Sequence, residues 1–233
     1  MTRRVIIWRH GRTEWNLAGR VQGQTDVPLD AVGREQARSA AARLASLQPT
    51  RIVTSDLSRA RETAEELGRL AGVEVEHDVR FRERSFGVRE GLTLTEAWEQ
   101  FPDHMARWLA GDEAGIPGSE SSVAAGERFT SALHEHLGTL GPDDTLVVVS
   151  HGGVTRAGTF SFLGLPRETW EAFSGLSNCS WTVLEEREIV PQALRSAPSR
   201  EVPPALPGPQ WRVVEWNAGT LPEPVLSDEE PAG

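Results

Sequence analysis

Lysine is absent from the 233-residue chain; all 24 basic residues are arginine. Without an ε-amino group there is no Schiff-base lysine and no P-loop lysine. Cysteine is almost as scarce. Cys179 stands alone, so no intrachain disulfide can form and a reducing compartment is expected. In its context Cys179 reads as a small buried strand residue. No stretch approaches the ~20 consecutive apolar residues that a membrane span needs. The first strand-like run begins at Val5, which is expected to leave no room for a secretory signal and points to the cytoplasm. Net charge is −10, an acidic balance that argues against nucleic acid or an anionic membrane as partner. A small anionic substrate is not excluded, because a few arginines focused in a cleft override a distant negative surface. Metal-ligand clusters are also missing. His134 and His136 are two apart on a helical stretch, so they face different sides.

The strand ends carry the signal. Val5-Ile6-Ile7-Trp8 reads as a buried strand and stops abruptly at Arg9-His10-Gly11. In an open α/β sheet, ligands bind in the crevice beyond the carboxyl ends of strands. The pattern returns at Leu146-Val147-Val148-Val149, which runs into Ser150-His151-Gly152-Gly153. Two strands that each deliver an imidazole at the same topological position can bring both rings to one site.

Between these runs, strands alternate with helical patterns, as expected of an α/β fold with a mostly parallel sheet. Asp30 is placed to cap a helix from about Gly33 to Leu47. Arg51 to Thr54 is a second strand, and Ser55 or Asp56 can cap the helix that stops at Gly72. Arg59 then lies near that helix's first turn, where free N–H groups favour an anion. Taken alone, an arginine on a helix is a solvated surface cation; its place directly after a strand end brings it towards the crevice. Arg61 points to a different face. Val73 to Val75 is a third strand, and Arg80 to Gly87 a loop or short strand. Glu83 stands there between Arg82 and Arg84, a pattern that in isolation reads as a surface salt-bridge cluster. Residues 92–118 read as a helical cap insertion that carries Trp98, Phe101, Met105, Trp108 and Leu109. A long helix from Ser119 to Leu137, a helix from Gly152 to Leu163 and strands at Trp181 to Leu184 and Trp211 to Trp216 complete the domain, residues 1–218. Residues 185–209 read as a mobile loop and 219–233 as a disordered acidic tail. The last strand, at an edge, would permit a homodimer.

Arg9-His10-Gly11-Arg12-Thr13-Glu14-Trp15-Asn16 resembles the signature of the histidine phosphatase superfamily, which includes the phosphoglycerate mutases. So do Ser55 to Ala64, Arg82 to Gly87 and Ser150 to Gly153, in the family's order. The resemblance implies a three-layer α/β/α fold of the phosphoglycerate mutase type. It implies that His10 is the nucleophile, that Arg9, Arg59 and His151 surround the phosphoryl group, and that Glu83 is the proton donor. Glu90 is the alternative donor if the register is off. Asn16, Thr13, Gln22, Gly23, Arg84 and Gly152 are expected to contact phosphate or substrate. No metal and no cofactor are implied; the expected partner is a small phosphorylated metabolite. Ser85-Phe86 stands where the mutases commonly have His-Tyr, their long basic insertion is missing between Gly91 and Ser119, and His151-Gly152-Gly153 departs from their His-Gly-Asn. These departures favour a hydrolase over a mutase, and a non-catalytic scaffold is disfavoured because His10, Glu83 and His151 are all present. Leu176 to Leu184 and Trp211 to Asn217 are similar to the C-terminal part of the glucosyl-3-phosphoglycerate phosphatase subgroup.

Overall fold

The elements run in the order β1 (Arg4–Arg9), α1 (Glu14–Leu17), α2 (Ala31–Ala45), β2 (Arg51–Thr54), α3 (Ser58–Ala71), β3 (Val75–His77), α4 (Leu94–Gln100), α5 (Pro102–Leu109), α6 (Ser122–Leu137), β4 (Thr145–Ser150), α7 (Gly152–Phe162), β5 (Trp181–Glu186) and β6 (Trp211–Ala218). The computed structural model describes residues 2–187 and 211–220.

The six strands form one sheet in the order β3-β2-β4-β1-β5-β6. The first four are parallel to one another, and β5 runs antiparallel to both β1 and β6. Side-chain alternation along β1 explains the layering. Ile6 and Trp8 enter one apolar cluster with Ala37, Ala41 and Leu44 of α2 and Ala60, Ala64 and Leu67 of α3. Val5 and Ile7 enter the opposite cluster with Phe129 and Leu133 of α6 and Val154 of α7. Because β1 and β4 are buried on both faces, they read as unbroken apolar runs, and each fully buried Val or Ile contributes about 1.5–3 kcal/mol. Trp8 keeps its indole N–H satisfied by donating to the Cys179 carbonyl oxygen at 3.1 Å. The expected three-layer α/β/α sandwich is therefore the observed one.

Local expectations needed several corrections. Helix α3 has Leu57 as its capping residue, with no side-chain cap. Ser55 instead accepts the Leu57 N–H, and Asp56 pairs with Arg82 at 2.7 Å. Strand β3 starts two residues later than its apolar run, since Val73 closes the turn after Gly72. Residues 80–87 contain no strand; Val79–Phe81 and Gly87–Arg89 are 3-10 turns, and the loop between them makes one isolated bridge, from Phe86 to Ser119. Cys179 lies in a turn with φ 57°, not in a strand. Strand β5 continues through Glu186, so Glu185 and Glu186 belong to the sheet. The rest of the expected mobile loop, from 188, and the tail from 221 lie outside the described residues.

Residues 92–118 form α4, α5 and a 3-10 turn at Glu113–Gly115. Thr93 and Glu96 make a reciprocal capping box at α4, and Pro102 starts α5. Ala97, Met105 and Ile116 bury this segment's apolar side. The preceding loop meets it at Gly87, where φ is 58° and a Cβ would lie 1.9 Å from the Pro117 carbonyl oxygen, so only glycine fits.

Candidate active site

Register decides the site. Arg9 of β1 is paired with Ser150 of β4, and the next N–H, that of His10, donates to the Ser150 carbonyl oxygen at 3.0 Å. The two residues that follow the strands, His10 and His151, therefore emerge side by side, with ring centroids 5.1 Å apart. His10 is 2% exposed, and its Nδ1 lies 2.7 Å from the Gly11 carbonyl oxygen. A carbonyl oxygen can only accept, so Nδ1 carries the proton and Nε2 keeps its lone pair for the cavity that His10 lines. Burial, then the nearby Arg59 and Arg9 cations, hold the His10 pKa well below the ordinary histidine value. His151 is buried too, with Nε2 2.8 Å from Ser55 Oγ. Its pKa is also pushed well down, by burial and then by Arg59.

Arg59 is 0% exposed on the first turn of α3. Its two Nη groups donate to the carbonyl oxygens of Thr25 at 2.9 Å and Gly23 at 2.7 Å, while the buried Nε–H has no acceptor. Burial lowers its pKa to about 10. Arg9 donates to the Leu176 carbonyl oxygen at 2.6 Å and likewise keeps a buried Nε–H without an acceptor. Neither guanidinium has a carboxylate ion-pair partner among the described residues. Two buried cations that converge without ion-pair partners, their charge offset only in part by nearby carboxylates, leave a field that an anion would neutralise.

Glu83 faces them across the cavity from the loop before α4. Its Oε1 accepts the N–H groups of Arg84 at 2.9 Å and Val154 at 2.8 Å, and its Oε2 accepts that of Gly153 at 2.8 Å. Glu83 thus caps α7, and Oε2 has capacity for one more hydrogen bond. Arg128 of α6 fixes this loop by donating to the carbonyl oxygens of Arg80 at 2.7 Å and Arg82 at 3.0 Å.

The cavity is about 360 Å³. Arg9, His10, Asn16, Gln22, Gly23, Arg59, Glu83 and Gly152 all line it. Asn16 uses Oδ1 to accept from Asn178 Nδ2 at 3.1 Å, which leaves its own amide N–H groups for the cavity. His151 sits behind the lining, beside His10. Two expected contacts fall elsewhere. Thr13 is the capping residue of α1, with its hydroxyl committed to Asn16 and Gln22. Arg84 turns away, to Glu113 at 3.1 Å and the Glu120 carbonyl oxygen at 2.8 Å. Glu90 is occupied in tying the loop at Gln24 and Thr25 to Phe86.

Sequence reasoning missed the buttresses. Ser55, a candidate cap by its place in the sequence, instead orients His151. Thr63 accepts the Gly11 N–H at 3.1 Å and donates to the Arg59 carbonyl oxygen, linking nucleophile loop and cation. Asn178 bonds the carbonyl oxygens of His10 and Gly11 from a loop about 170 residues away in sequence. No local pattern marks such residues; only the resemblance of the stretch at Leu176 touched on Asn178.

The sequence profile described as histidine phosphatase superfamily (branch 1) matches residues 5–197. A protein from Mycolicibacterium vanbaalenii named glucosyl-3-phosphoglycerate phosphatase is 37% identical over 222 residues, covering 93% of this chain and 95% of its own. A Serratia proteamaculans protein named probable phosphoglycerate mutase is 38% identical over 187 residues, covering 79% of this chain and 85% of its own. The solved structure of a mycobacterial glucosyl-3-phosphoglycerate phosphatase with VO3 has a TM-score of 0.78 at 34% identity, and the match covers 93% of this chain and all of that one.

Proposed function

The chain belongs to the histidine phosphatase superfamily (branch 1), and from that membership we propose that it is a phosphoric monoester hydrolase working through a phosphohistidine on a small phosphorylated metabolite. The observation that carries the reading is the convergence of two buried guanidiniums without carboxylate partners on the unprotonated Nε2 of His10.

The phosphoryl group of the substrate sits between Arg9 and Arg59, which offset charge on its equatorial oxygens. His10 Nε2 attacks phosphorus as the bond to the leaving oxygen breaks, and Glu83 Oε2 delivers a proton to that oxygen. In the second half, water attacks the phosphohistidine, Glu83 takes its proton, and inorganic phosphate leaves. His151, held through Nε2 by Ser55 beside His10, keeps an unpartnered Nδ1 as a donor to the phosphoryl group, with the α7 N-terminus and the Asn16 amide as further donors.

The relatives support a phosphoglycerate derivative, glucosyl-3-phosphoglycerate, as the substrate. A cytoplasmic location and a homodimer through the exposed edge of β6 belong to the same proposal. Among the described residues no helix is long and apolar enough to cross a membrane. Cell fractionation and sedimentation test the location and the dimer.

The decisive experiment measures phosphate release from glucosyl-3-phosphoglycerate, 3-phosphoglycerate and p-nitrophenyl phosphate. The expected outcome is turnover by wild type and a loss of at least about 10³-fold in His10→Ala, of the size seen when an active-site nucleophile is removed. Conversion of 3- to 2-phosphoglycerate with added bisphosphate, without phosphate release, would replace the hydrolase with a mutase.

A further inference from the structure

A second cavity, of about 440 Å³, adjoins the first and shares Phe86, Gly153 and Arg156 with it. It lies under the cap segment, and its walls bring Arg84, Arg89, Arg156 and Arg167 together with Trp108 and Glu113. Three of these arginines have carboxylate partners: Arg84 pairs with Glu113 at 3.1 Å, Arg167 with Glu171 at 3.2 Å and Arg156 with Glu171 at 3.7 Å.

Arg89 is different. It is 5% exposed, yet its buried Nε–H has no acceptor, and no carboxylate lies within ion-pair distance of it among the described residues. Its guanidinium carbon sits 5.2 Å from the centre of the Phe86 ring and 5.0 Å from that of Trp108. Aromatic rings hold the planar cation by its faces and leave its N–H edge for a ligand. Burial, and then the neighbouring Arg84 cation, lower its pKa, and the Glu113 carboxylate in the same cavity offsets this only in part. A cation kept buried in that way is complementary to an anion, and the guanidinium edge matches a carboxylate through two parallel hydrogen bonds.

The route from the first cavity to the second passes Gly153. A Cβ there would lie 2.8 Å from Glu83 Oε1 and 3.4 Å from Arg84 Cδ. In the mechanism proposed above the leaving oxygen meets Glu83, and the shared lining at Gly153 and Phe86 would lead the carbon skeleton attached to it into the second cavity. We propose that Arg89, clamped between Phe86 and Trp108, binds a carboxylate on the organic part of the substrate and selects phosphorylated hydroxy acids over phosphorylated alcohols. This assignment rests on the phosphatase reading and adds a specificity residue to it.

The test compares kcat/KM for 3-phosphoglycerate with that for glycerol 1-phosphate, which lacks the carboxylate. Wild type prefers the acid. Arg89→Gln lowers the ratio by about 10- to 100-fold, the usual worth of a charge-assisted hydrogen bond, with the loss on the acid falling mainly in KM. Arg89→Lys retains part of the preference, since the ammonium keeps the charge and loses the fork. A wild-type ratio near one overturns the assignment even if the variants do not fold, and so does an unchanged ratio in folded Arg89→Gln. The phosphatase reading is tested separately by hydrolysis of p-nitrophenyl phosphate, present in wild type and lost in His10→Ala. If neither p-nitrophenyl phosphate, 3-phosphoglycerate nor glucosyl-3-phosphoglycerate releases phosphate, the phosphatase reading falls; if release stands and the ratio is one, only the role of Arg89 falls.

Discussion

At the scale of single residues, burial strengthens the preference of the site's titratable groups for their uncharged forms. His10 and His151 are buried beside Arg59 and Arg9, and both are kept neutral. A histidine whose pKa is lower in the folded than in the unfolded state contributes stability that is fully present above the unfolded value, about 6.5, and lost as pH falls below it. Each such histidine contributes a slope of up to about 1.4 kcal/mol per pH unit in that window. Urea melts at pH 7.5, 6.5 and 5.5 are expected to show a smaller acid loss in His151→Asn than in wild type. Equal slopes in the two proteins would remove the claim that the folded site holds this ring neutral. Cys179 shows the same effect of burial on an acid, its thiol pushed up to about 12, which leaves it a poor nucleophile at neutral pH.

At the scale of elements, close approach is what fixes the site. Helices α6 and α7 touch where Gly158 faces Phe129: a Cβ on Gly158 would lie 2.3 Å from that ring. Phe129 is fully buried and packs edge-on to Phe81 at 4.9 Å, so it has nowhere to move. Alanine is the better helix former by about 1 kcal/mol, yet overpacking of this kind costs about 1–3 kcal/mol. Gly158→Ala is therefore expected to lower the unfolding free energy in denaturant melts, against propensity. A gain in stability would show that the two helices have room to separate. This contact matters for chemistry because α7 presents Gly153 and Val154 to Glu83, and α6 holds the Glu83 loop through Arg128.

At the scale of the whole molecule, a chain of net charge −10 gathers unpaired cations at one cavity. Inorganic phosphate is expected to stabilise it: at 100 times its Kd, binding adds about 2.7 kcal/mol. For a chain of this length each kcal/mol raises Tm by roughly 2–4 °C. Scanning calorimetry with increasing phosphate should show that rise in wild type and its loss in Arg59→Met. If both respond equally, the stabilisation comes from general ion effects rather than from this cavity.

What the sequence determined by itself follows from local physics. Unbroken apolar runs at Val5 and Leu146 specify strands buried on both faces, and helical periodicity between them specifies the layers. An imidazole directly after each run sets its place at the carboxyl edge of the sheet. The tertiary structure alone decided the rest, because it depends on groups brought together from distant parts of the chain. Register between β1 and β4 set the spacing of the two imidazoles, and the carbonyl oxygen of Gly11 fixed which nitrogen of His10 is free. Thr13 and Arg84 lie in the right motifs, but capping and ion pairing claim their side chains. Ser55, Thr63 and Asn178 support the site through partners tens to well over a hundred residues away. Arg89 reads in the sequence as one arginine among 24. Only the packing of Trp108, from the 92–118 segment, beside Phe86 leaves it buried, stacked and without an ion-pair partner among the described residues, because burial and pairing are properties of the assembled surroundings rather than of the residue.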